Sequence, residues 1–395
     1  MHVGFSLLTL FPGRVGGSES NVRGVLGQFA AGNGPERVTV LANRHVAAAY
    51  GDYARGPVAL HEVRSYRSGD SDLTRLLAMA AAGAVPRFAA RDVPRDLDVL
   101  HHPVTVPIPR LPGVPTVTTV LDLQHHEMPE LFSRGERLHR RWAYDGAARR
   151  ADLVLTISDY SRGRLIEIAG LAPERVVTAH LGIDHDRFSP APTAADATIR
   201  ERLRLPERFV VYPANLWPHK NHARLIDALA AAPGDLRLLL TGQDYGRLDE
   251  LKARAATARV ADRVRHLGYL DRDDVPALYR AASAMVFPSL YEGFGAPPVE
   301  AMACGCPVAA STRGSLAEVV GDAALAFDPK STEEIGAAIA RVVDDGELRE
   351  RLRERGPANA ARFTWEATAR AHVAAYARVL QPRRGVPRTA PTSAL

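Results

Sequence analysis

The sequence contains little cysteine: only Cys304 and Cys306 among 395 residues. Two cysteines cannot build a disulfide framework and supply only half of a structural zinc site, so we predict buried free thiols in a reducing compartment. Aromatic residues are also sparse, at 6%. The net charge of +5 would attract polyanions, but so few aromatics leave no stacking surface for bases. We therefore expect no nucleic-acid partner.

Long hydrophobic runs are lacking as well. The apolar run at residues 76–85 is far shorter than the ~20 residues that span a bilayer. Residues 1–10 lead directly into strand-like sequence, without the basic, apolar and cleavage regions of a signal peptide. We therefore expect a cytoplasmic protein. The basic stretch 134–150, which contains Trp142 and Tyr144, is either a solvated helix face or a peripheral contact with the inner face of an anionic membrane.

What the sequence does contain is typical of a soluble globular protein, with 24% charged and 46% hydrophobic residues. Its length suits two domains. The first half alternates short apolar runs with loops and helical stretches, which predicts a parallel sheet covered by helices on both faces, a Rossmann-like domain. The predicted strands of this half are residues 3–8, 37–41, 97–101, 114–121 and 153–157.

The same alternation starts again in the second half, after a Pro- and Ala-rich stretch that ends near residue 206, with predicted strands at residues 209–213, 236–240, 264–267 and 284–287. We therefore predict an α/β protein of two Rossmann-like domains that face a central cleft, at residues 1–185 and 186–380. The last helix, 365–380, could pack back on the first domain, and the Pro- and Arg-rich tail 381–395 is expected to be disordered. In such sheets ligands bind outside the carboxyl ends of the strands.

The most informative segment is 287–307, where a strand ends, a Gly-containing loop follows and a helix begins. Pro297 and Pro298 would occupy the first turn of this helix and Gly305 would follow its last turn, as helix ends favour. Unpaired N–H groups and the helix dipole at such an N-terminus favour an anion, for example a diphosphate. The amides predicted to bind it are those of Gly293, Phe294 and Gly295.

Two glutamates, Glu292 and Glu300, are separated by seven residues in this segment. The spacing alone also fits two solvated carboxylates, because the chain has 45 acidic residues. The whole segment, however, resembles the Glu-x7-Glu signature of the family-4 retaining glycosyltransferases, which have the GT-B fold. The resemblance implies that Glu292 lies by the donor sugar and that Glu300 accepts hydrogen bonds from the nucleotide ribose.

The loop at residues 212–221 resembles a second segment of the same family, in which a lysine contacts the donor diphosphate. This implies that role for Lys220, the alternative being a surface lysine at a helix start, and we predict both Lys220 and Glu292 as catalytic residues. Many members have an arginine five residues earlier, where this chain has the uncharged Asn215, which we predict as a donor-binding residue. Tyr269 and Leu270 belong to a segment that matches the part of the family where the nucleotide base is held.

The first half carries weaker matches. Gly16 and Gly17 resemble the Gly-rich loop whose backbone approaches the donor across the cleft, although such glycines also serve turn geometry alone. Residues 121–132 resemble the acceptor-side loop, with Leu121 where the family usually has histidine and Asp122 where it has aspartate. We therefore predict Asp122 as a catalytic residue.

Nearby histidines are candidates to replace the missing imidazole. We predict His125 as a catalytic residue and His126 on the acceptor side, with a structural role as the alternative. A further acceptor-side pair, His101 and His102, comes at the end of a predicted strand.

The resemblance implies that a hexose moves, with retained configuration, from a nucleoside-diphosphate sugar to a glycan, lipid-linked or small-molecule acceptor. The second domain would bind the donor and the first the acceptor. The Trp217 to Asn221 loop is most similar to those of mannosyltransferases or related hexosyltransferases of surface-polysaccharide assembly, so GDP-mannose is our first hypothesis for the donor. The donor loop holds no Asp-x-Asp metal motif, and we expect no metal and no cofactor. The alternatives are a sugar-nucleotide epimerase of this architecture and a non-catalytic sugar-nucleotide-binding protein.

Overall fold

A computed structural model describes residues 1–13, 17–67, 69–85 and 89–381. Its first sheet has seven parallel strands, which follow one another along the chain as β1 (His2–Ser6), β2 (Arg37–Ala42), β3 (Val58–Glu62), β4 (Val99–His102), β5 (Thr116–Val120), β6 (Leu153–Thr156) and β7 (Val176–Thr178). Their spatial order is β3-β2-β1-β4-β5-β6-β7. The order reverses between β1 and β4, which opens a crevice at the carboxyl ends of these strands.

The second sheet repeats this plan with six parallel strands, namely β8 (Phe209–Pro213), β9 (Arg237–Thr241), β10 (Val264–His266), β11 (Ala284–Phe287), β12 (Val308–Ser311) and β13 (Leu325–Phe327). Their order is β10-β9-β8-β11-β12-β13, with the reversal between β8 and β11. The inner strands β8, β11 and β12 are almost wholly buried, which explains why their sequences read as continuous apolar runs. The edge strands β10 and β13 are partly exposed.

Helices cover both sheets. Those of the first half are α1 (Gly17–Ala30), α2 (Arg44–Ala49), α3 (Asp72–Ala84), α4 (Gln124–Glu127), α5 (Arg134–Arg140), α6 (Gly146–Arg150) and α7 (Asp159–Ala169), with a π-helical turn Arg141–Asp145 between α5 and α6. Those of the second half are α8 (Ala195–Arg202), α9 (His222–Leu229), α10 (Leu248–Thr257), α11 (Val275–Ala281), α12 (Ala296–Ala303), α13 (Leu316–Val320), α14 (Thr332–Asp344), α15 (Gly346–Ala360) and α16 (Trp365–Leu380). Short 3-10 turns lie at Gly51–Tyr53, Pro129–Leu131, Pro173–Arg175, Pro218–Lys220, Ala261–Arg263 and Gly321–Ala323.

Helix α16 leaves the second domain and packs against α1 and strands β4 to β6 of the first. Gly24 of α1 makes this possible, because a Cβ there would lie 2.4 Å from the Trp365 ring. Near the same crossing, Ile183 pairs with Thr364 in a parallel bridge. The two domains are thus connected both by the chain junction near residue 186 and by the return of α16 to the first domain.

The predicted fold class, two Rossmann-like domains around a cleft, is confirmed. Four strands, β3, β7, β12 and β13, were not predicted. Cys304 and Cys306 are free and buried as predicted, and burial raises the pKa of each thiol to about 12.

Gly16 and residues 382–395 lie outside the described residues. No helix in the described part of the chain has the length and apolarity needed to cross a membrane.

Candidate active site

A cavity of about 750 Å³ lies between the two domains, at the carboxyl ends of both sheets. This is a size that suits a small organic ligand. Eleven of the predicted site residues line it: Gly17, Asp122, Asn215, Lys220, Tyr269, Leu270, Glu292, Gly293, Phe294, Gly295 and Glu300. The structure therefore brings segments more than 280 residues apart in the sequence, from Gly17 to Glu300, to one site.

The lysine loop follows β8 and is held by Asn221. This residue adopts a left-handed conformation (φ 62°), which asparagine tolerates better than most residues. Its side-chain amide donates to the carbonyls of Pro288 at 3.1 Å and Pro329 at 2.8 Å. The loop is thereby fixed to the segment after β11, and Lys220 extends into the cavity.

Lys220 forms an ion pair with Glu292, with 2.6 Å between Nζ and Oε1. The hydroxyl of Ser289 donates to the same oxygen at 2.5 Å. Both charged side chains are largely buried, with 15% and 13% of their surfaces exposed. Partial burial strengthens the attraction between two opposite charges, because the local dielectric constant is lower than in water. The charges of the two predicted donor residues, Lys220 and Glu292, are therefore strongly coupled.

The loop between Glu292 and α12 depends on two glycines. Gly295 has φ +97°, and a Cβ there would lie 2.5 Å from Leu316. Gly293 lies against the first domain, where a Cβ would lie 2.4 Å from the carbonyl oxygen of Leu121. Only glycine fits this close approach, which leaves the backbone amides before α12 at the cavity wall.

Glu300 lies on α12 and contributes to the cavity wall. Burial raises its pKa to about 7, partly opposed by the positive charges of Arg272 and Arg187. A carboxyl group with this pKa changes charge near neutrality. A ligand whose hydroxyl groups donate to it would stabilise the ionised form.

The other predicted donor-side residues contribute differently. Asn215 faces the cavity, and its side-chain oxygen accepts a hydrogen bond from the Gln243 amide at 2.9 Å. Tyr269 is 67% exposed at the cavity rim, with Leu270 beside it. His219 also lines the cavity, and burial lowers its pKa to about 4, so it is uncharged at neutral pH.

On the first-domain side, Asp122 lines the cavity and accepts a hydrogen bond from the Gln124 amide at 3.0 Å, which starts α4. His125 does not reach the cavity wall, because its ring is fully buried. Its Nε2 lies 3.2 Å from Asp145, and His126 contacts the other oxygen of the same carboxylate at 2.9 Å. The predicted catalytic His125 is therefore placed behind the wall.

The structure also places the predicted acceptor-side pair, His101 and His102, away from the cavity. His101 is fully buried between Thr119 and Tyr376 of α16, each bonded to one ring nitrogen at 2.8 Å. His102 is buried against the carbonyl of Pro109 at 3.0 Å. Neither imidazole reaches the cavity, because α16 and the 108–109 turn cover the strand end.

Some cavity residues were not predicted. Arg140 and Tyr144 extend into it from the α5 region, and Arg272 does so beside the Tyr269 segment. Ser289 supports Glu292 from behind. The sequence signal for Arg140 was the basic stretch 134–150, whose inward and outward faces could not be separated without knowing that a π-helical turn interrupts it.

The domains touch directly beside this cavity. The Ser158 hydroxyl donates to the Gly293 carbonyl at 2.7 Å, and the Leu123 amide donates to the Tyr291 hydroxyl at 2.9 Å. Glu318 of the second domain accepts hydrogen bonds from the first two amides of α7, at 2.9 and 2.8 Å. A carboxylate at a helix N-terminus is favourable, so this contact stabilises the closed arrangement.

This architecture is that of the GT-B glycosyltransferases. The Anabaena protein HepE, solved with UDP-glucose, superposes with a TM-score of 0.71 at 23% identity over 95% of this chain and 98% of that one. WaaG, a glycosyltransferase involved in lipopolysaccharide biosynthesis, gives 0.69 at 19% identity over 94% and 98%. At these identities the similarity shows the fold.

Comparisons with known sequences identify the family of glycosyltransferases. Residues 15–187 match Glycosyltransferase Family 4, and residues 196–359 match the glycosyl transferases group 1. The chain therefore belongs to the family-4 glycosyltransferases.

Similar proteins of known activity include mannosyltransferases. The chain is 34% identical to the Escherichia coli O-antigen chain mannosyltransferase B over 254 residues, 63% of this chain and 67% of that protein. It is 30% identical to the Escherichia coli serotype-specific mannosyltransferase WbdA over 240 residues, 59% of this chain but 29% of that protein. A D-inositol 3-phosphate glycosyltransferase of Salinispora arenicola is 32% identical over 276 residues, 65% of this chain and 62% of that protein.

Proposed function

We propose that this glycosyltransferase moves a mannosyl residue from GDP-mannose to a glycan, lipid-linked or small-molecule acceptor, with retained configuration, in polysaccharide assembly. The observation that carries the proposal is the paired Lys220 and Glu292 in a cavity between the domains, in a chain whose relatives include mannosyltransferases.

Different residues of the second domain would bind different parts of the donor. Lys220 and the amides of the Gly293 to Gly295 loop would bind the diphosphate, because both offer positive charge to an anion. Glu300 would bind the ribose through two hydroxyl groups. Tyr269 and Leu270 would lie against the base, and Gly17, from the other domain, would approach the donor across the cleft.

The chemistry follows from this placement. Glu292 already shares its charge with Lys220 and Ser289, which makes it a weak nucleophile and suits it to orient the donor sugar. We therefore favour same-face attack, in which the acceptor hydroxyl gives its proton toward the departing phosphate. Asp122 would orient the acceptor hydroxyl from the first domain, while His125 and His126 would support its loop.

We propose that the reaction needs no metal, since Lys220 and the loop amides supply the positive charge for the leaving group. The Asp-x-Asp spacing does occur at Asp271 and Asp273, but the cation Arg272 stands between them in the sequence and Asp273 lies 3.2 Å from Arg187. Transfer should therefore survive excess EDTA.

The experiment is a donor screen. Purified protein is mixed with GDP-mannose, UDP-glucose or UDP-galactose and with mannose-terminated acceptors, and chromatography follows the nucleoside diphosphate released and the glycoside formed. Acceptor-dependent GDP release supports the proposal. Acceptor-independent conversion of the sugar nucleotide would instead identify an epimerase, and binding without turnover would identify a non-catalytic protein.

We further propose that the enzyme works from the cytoplasm, with peripheral contact to an anionic membrane through the α5 region. Leu138 and Trp142 are one turn apart and 71% and 61% exposed. Arg134 precedes them by one turn, Arg141 lies next to Trp142, and both arginines are exposed as well. Apolar side chains close to arginines suit the headgroup region of anionic lipids.

Vesicle flotation tests this contact. The protein should float with vesicles containing phosphatidylglycerol and much less with pure phosphatidylcholine. Trp142→Glu should abolish flotation without altering turnover on a soluble acceptor. Equal flotation of Trp142→Glu and the wild type would contradict this surface.

A further inference from the structure

Three exposed aromatic side chains lie along the rim of the second domain. Trp217, Tyr245 and Tyr269 belong to the loops after β8, β9 and β10, three strands that are neighbours in the sheet. Of their surfaces, 43%, 57% and 67% are exposed. Aromatic side chains that lie together in contact with water are typical of surfaces that bind a ligand or a partner. Tyr269 is assigned to the base of the donor, so the other two rings need a separate explanation.

Trp217 and Tyr245 form one continuous aromatic surface, which we call the aromatic platform. Their ring centres are 5.5 Å apart, with 39° between the two planes. Trp217 lines the cavity between the domains, whereas Tyr245 is not part of the cavity wall. A ligand that contacts both rings must therefore extend from the cavity to the outside of the protein.

Hydrogen bonds join the two loops that carry the aromatic platform. The Leu216 amide donates to the Gln243 carbonyl at 2.9 Å, and the Gln243 amide donates to the Asn215 side chain at 2.9 Å. The Arg247 guanidinium donates to the Leu216 carbonyl at 3.4 Å. Tyr245 itself has φ 48°, a conformation that residues other than glycine rarely adopt. The platform is thus held in place before a ligand arrives, which reduces the conformational entropy lost on binding.

The polar groups beside the platform suit a neutral ligand that is rich in hydroxyl groups. The apolar C–H face of a pyranose ring packs on an aromatic ring, and its hydroxyl groups form hydrogen bonds with amide and carboxylate groups at the edge. Gln243 and Asp244 precede Tyr245 and are exposed. The Asp244 carboxylate would repel a phosphate, and Arg247, a cation of the same loop, is paired with Glu250 at 2.9 Å. A sugar therefore fits this surface better than a nucleotide does.

We propose that Trp217 and Tyr245 bind a neutral sugar unit of a glycan acceptor, one or more units away from the hydroxyl group that receives the transferred sugar. The inference rests on the proposed function and selects a glycan chain among its acceptor classes. The platform begins at the cavity wall and continues outside it. A chain of several sugars can occupy the cavity and the platform together, whereas a single sugar cannot.

The first test measures binding and needs no turnover. Protein saturated with GDP is titrated calorimetrically with mannotetraose, maltotetraose and methyl α-mannoside. Wild type should bind at least one tetrasaccharide more tightly than methyl α-mannoside, because only the longer ligand reaches the platform. If neither tetrasaccharide binds wild type more tightly than the single sugar does, the proposal is wrong.

Two substitutions of Tyr245 separate the ring from the backbone. Tyr245→Asn removes the ring but keeps a residue that tolerates positive φ, so the loop should retain its conformation. It should weaken tetrasaccharide binding roughly fivefold or more, because a stacked ring is lost. Tyr245→Phe is the matched control: it retains the ring and should bind within about twofold of wild type. Unchanged binding in Tyr245→Asn, or equal losses in the two variants, would contradict an aromatic site.

A second measurement separates the glycan from the nucleotide. Tyr245→Asn should bind GDP like wild type and should raise the KM for the tetrasaccharide acceptor with kcat little changed, because the ring contacts the chain alike in the ground state and the transition state. The KM for methyl α-mannoside should stay as in wild type. A loss of GDP affinity in Tyr245→Asn would show that the platform serves the nucleotide base and would overturn the glycan assignment.

The outcomes also separate this inference from the proposed function. If a tetrasaccharide binds through Tyr245 but no sugar nucleotide is turned over, the transferase proposal fails and the glycan site remains. If transfer occurs with the same KM for methyl α-mannoside and the tetrasaccharide, in wild type and in Tyr245→Asn, the glycan site fails and the proposed function stands.

Discussion

At the scale of single residues, the ion pair between Lys220 and Glu292 determines how the donor side responds to substitution. Each charge is largely buried and compensated by the other. Removing one partner of such a pair leaves the other uncompensated, a larger effect than the loss of the attraction alone. The single variants therefore have opposite expected effects on anion binding.

Lys220→Ala should lower the affinity for GDP by at least roughly tenfold, because it removes a cation and leaves the Glu292 carboxylate to repel the diphosphate. Glu292→Gln should bind GDP at least as tightly as wild type but lower kcat by about a hundredfold, since the sugar is misplaced. The double variant should recover part of the affinity lost in Lys220→Ala. Calorimetry with GDP measures the first effect and initial rates the second. Loss of GDP binding in Glu292→Gln, with retention in Lys220→Ala, would reverse our placement of the two residues.

Glu300 should make donor binding depend on pH. Because its pKa in the folded protein is about 7, the carboxyl group is increasingly protonated below neutrality and loses acceptor capacity for the ribose. Affinity for GDP should therefore fall between pH 8 and pH 6, and binding at pH 7 should release a proton, which calorimetry in two buffers of different ionisation enthalpy detects. Glu300→Gln is the control for protons released by the nucleotide itself. Equal proton release by wild type and Glu300→Gln would contradict this role.

The sequence could predict which residues reach the donor side and could not predict how they pair. Lys220 and Glu292 are 72 positions apart, and their contact depends on the Asn221 side chain bridging two loops. The histidines show the converse. His101 lies near the end of β4, where cavity residues are common, but Tyr376 from the far end of the chain covers it.

At the scale of elements, the alternation of strands and helices predicted most of the fold. Strands Phe209–Pro213 and Ala284–Phe287 and helix Trp365–Leu380 agree with the prediction to the residue, because buried apolar runs and a capped helix have strong signals. Three of the four missed strands have four residues or fewer: β12 has four, and β7 and β13 have three each. Such short segments become strands through pairing with a neighbour in the sheet.

Among the elements, the Gly293 loop is the most sensitive to added volume. Gly293→Ala should place a methyl group against the Leu121 carbonyl, 2.4 Å away, and so push the two domains apart. The backbone amide is retained, so we expect GDP affinity within about twofold of wild type and kcat lowered by tenfold or more. Gly163→Ala, on α7 with open space around it, is the matched control. An unchanged kcat in Gly293→Ala would show that this contact is not needed during turnover.

At the scale of the whole molecule, several polar contacts join the two domains beside the cavity. Glu318 accepts hydrogen bonds from His180 at 2.7 Å and from the Asp159 and Tyr160 amides. Burial alone would raise the pKa of the Glu318 carboxyl group, but these hydrogen bonds bring it below its usual value. The stabilisation is therefore present above the carboxyl's unfolded pKa and is lost as pH falls through the lower folded value.

Glu318→Ala should favour the open arrangement. Without the carboxylate, the first amides of α7 lose their partner, a loss of about 1 to 3 kcal/mol. Small-angle X-ray scattering should show a larger radius of gyration for nucleotide-free Glu318→Ala than for wild type, and saturating GDP should reduce the difference. Identical scattering of the two proteins would mean that other contacts hold the domains together.

The most direct test of the account is the stereochemistry of transfer. Protein is incubated with GDP-mannose carrying ¹³C at the anomeric carbon, a mannose-terminated acceptor and excess EDTA, and the first product is followed by NMR. We predict that GDP and an α-mannoside appear together, with the configuration of the donor retained and with Lys220→Ala nearly inactive. A β-mannoside as the first product, or a reaction that stops when EDTA is added, would contradict the proposed retaining, metal-independent mechanism.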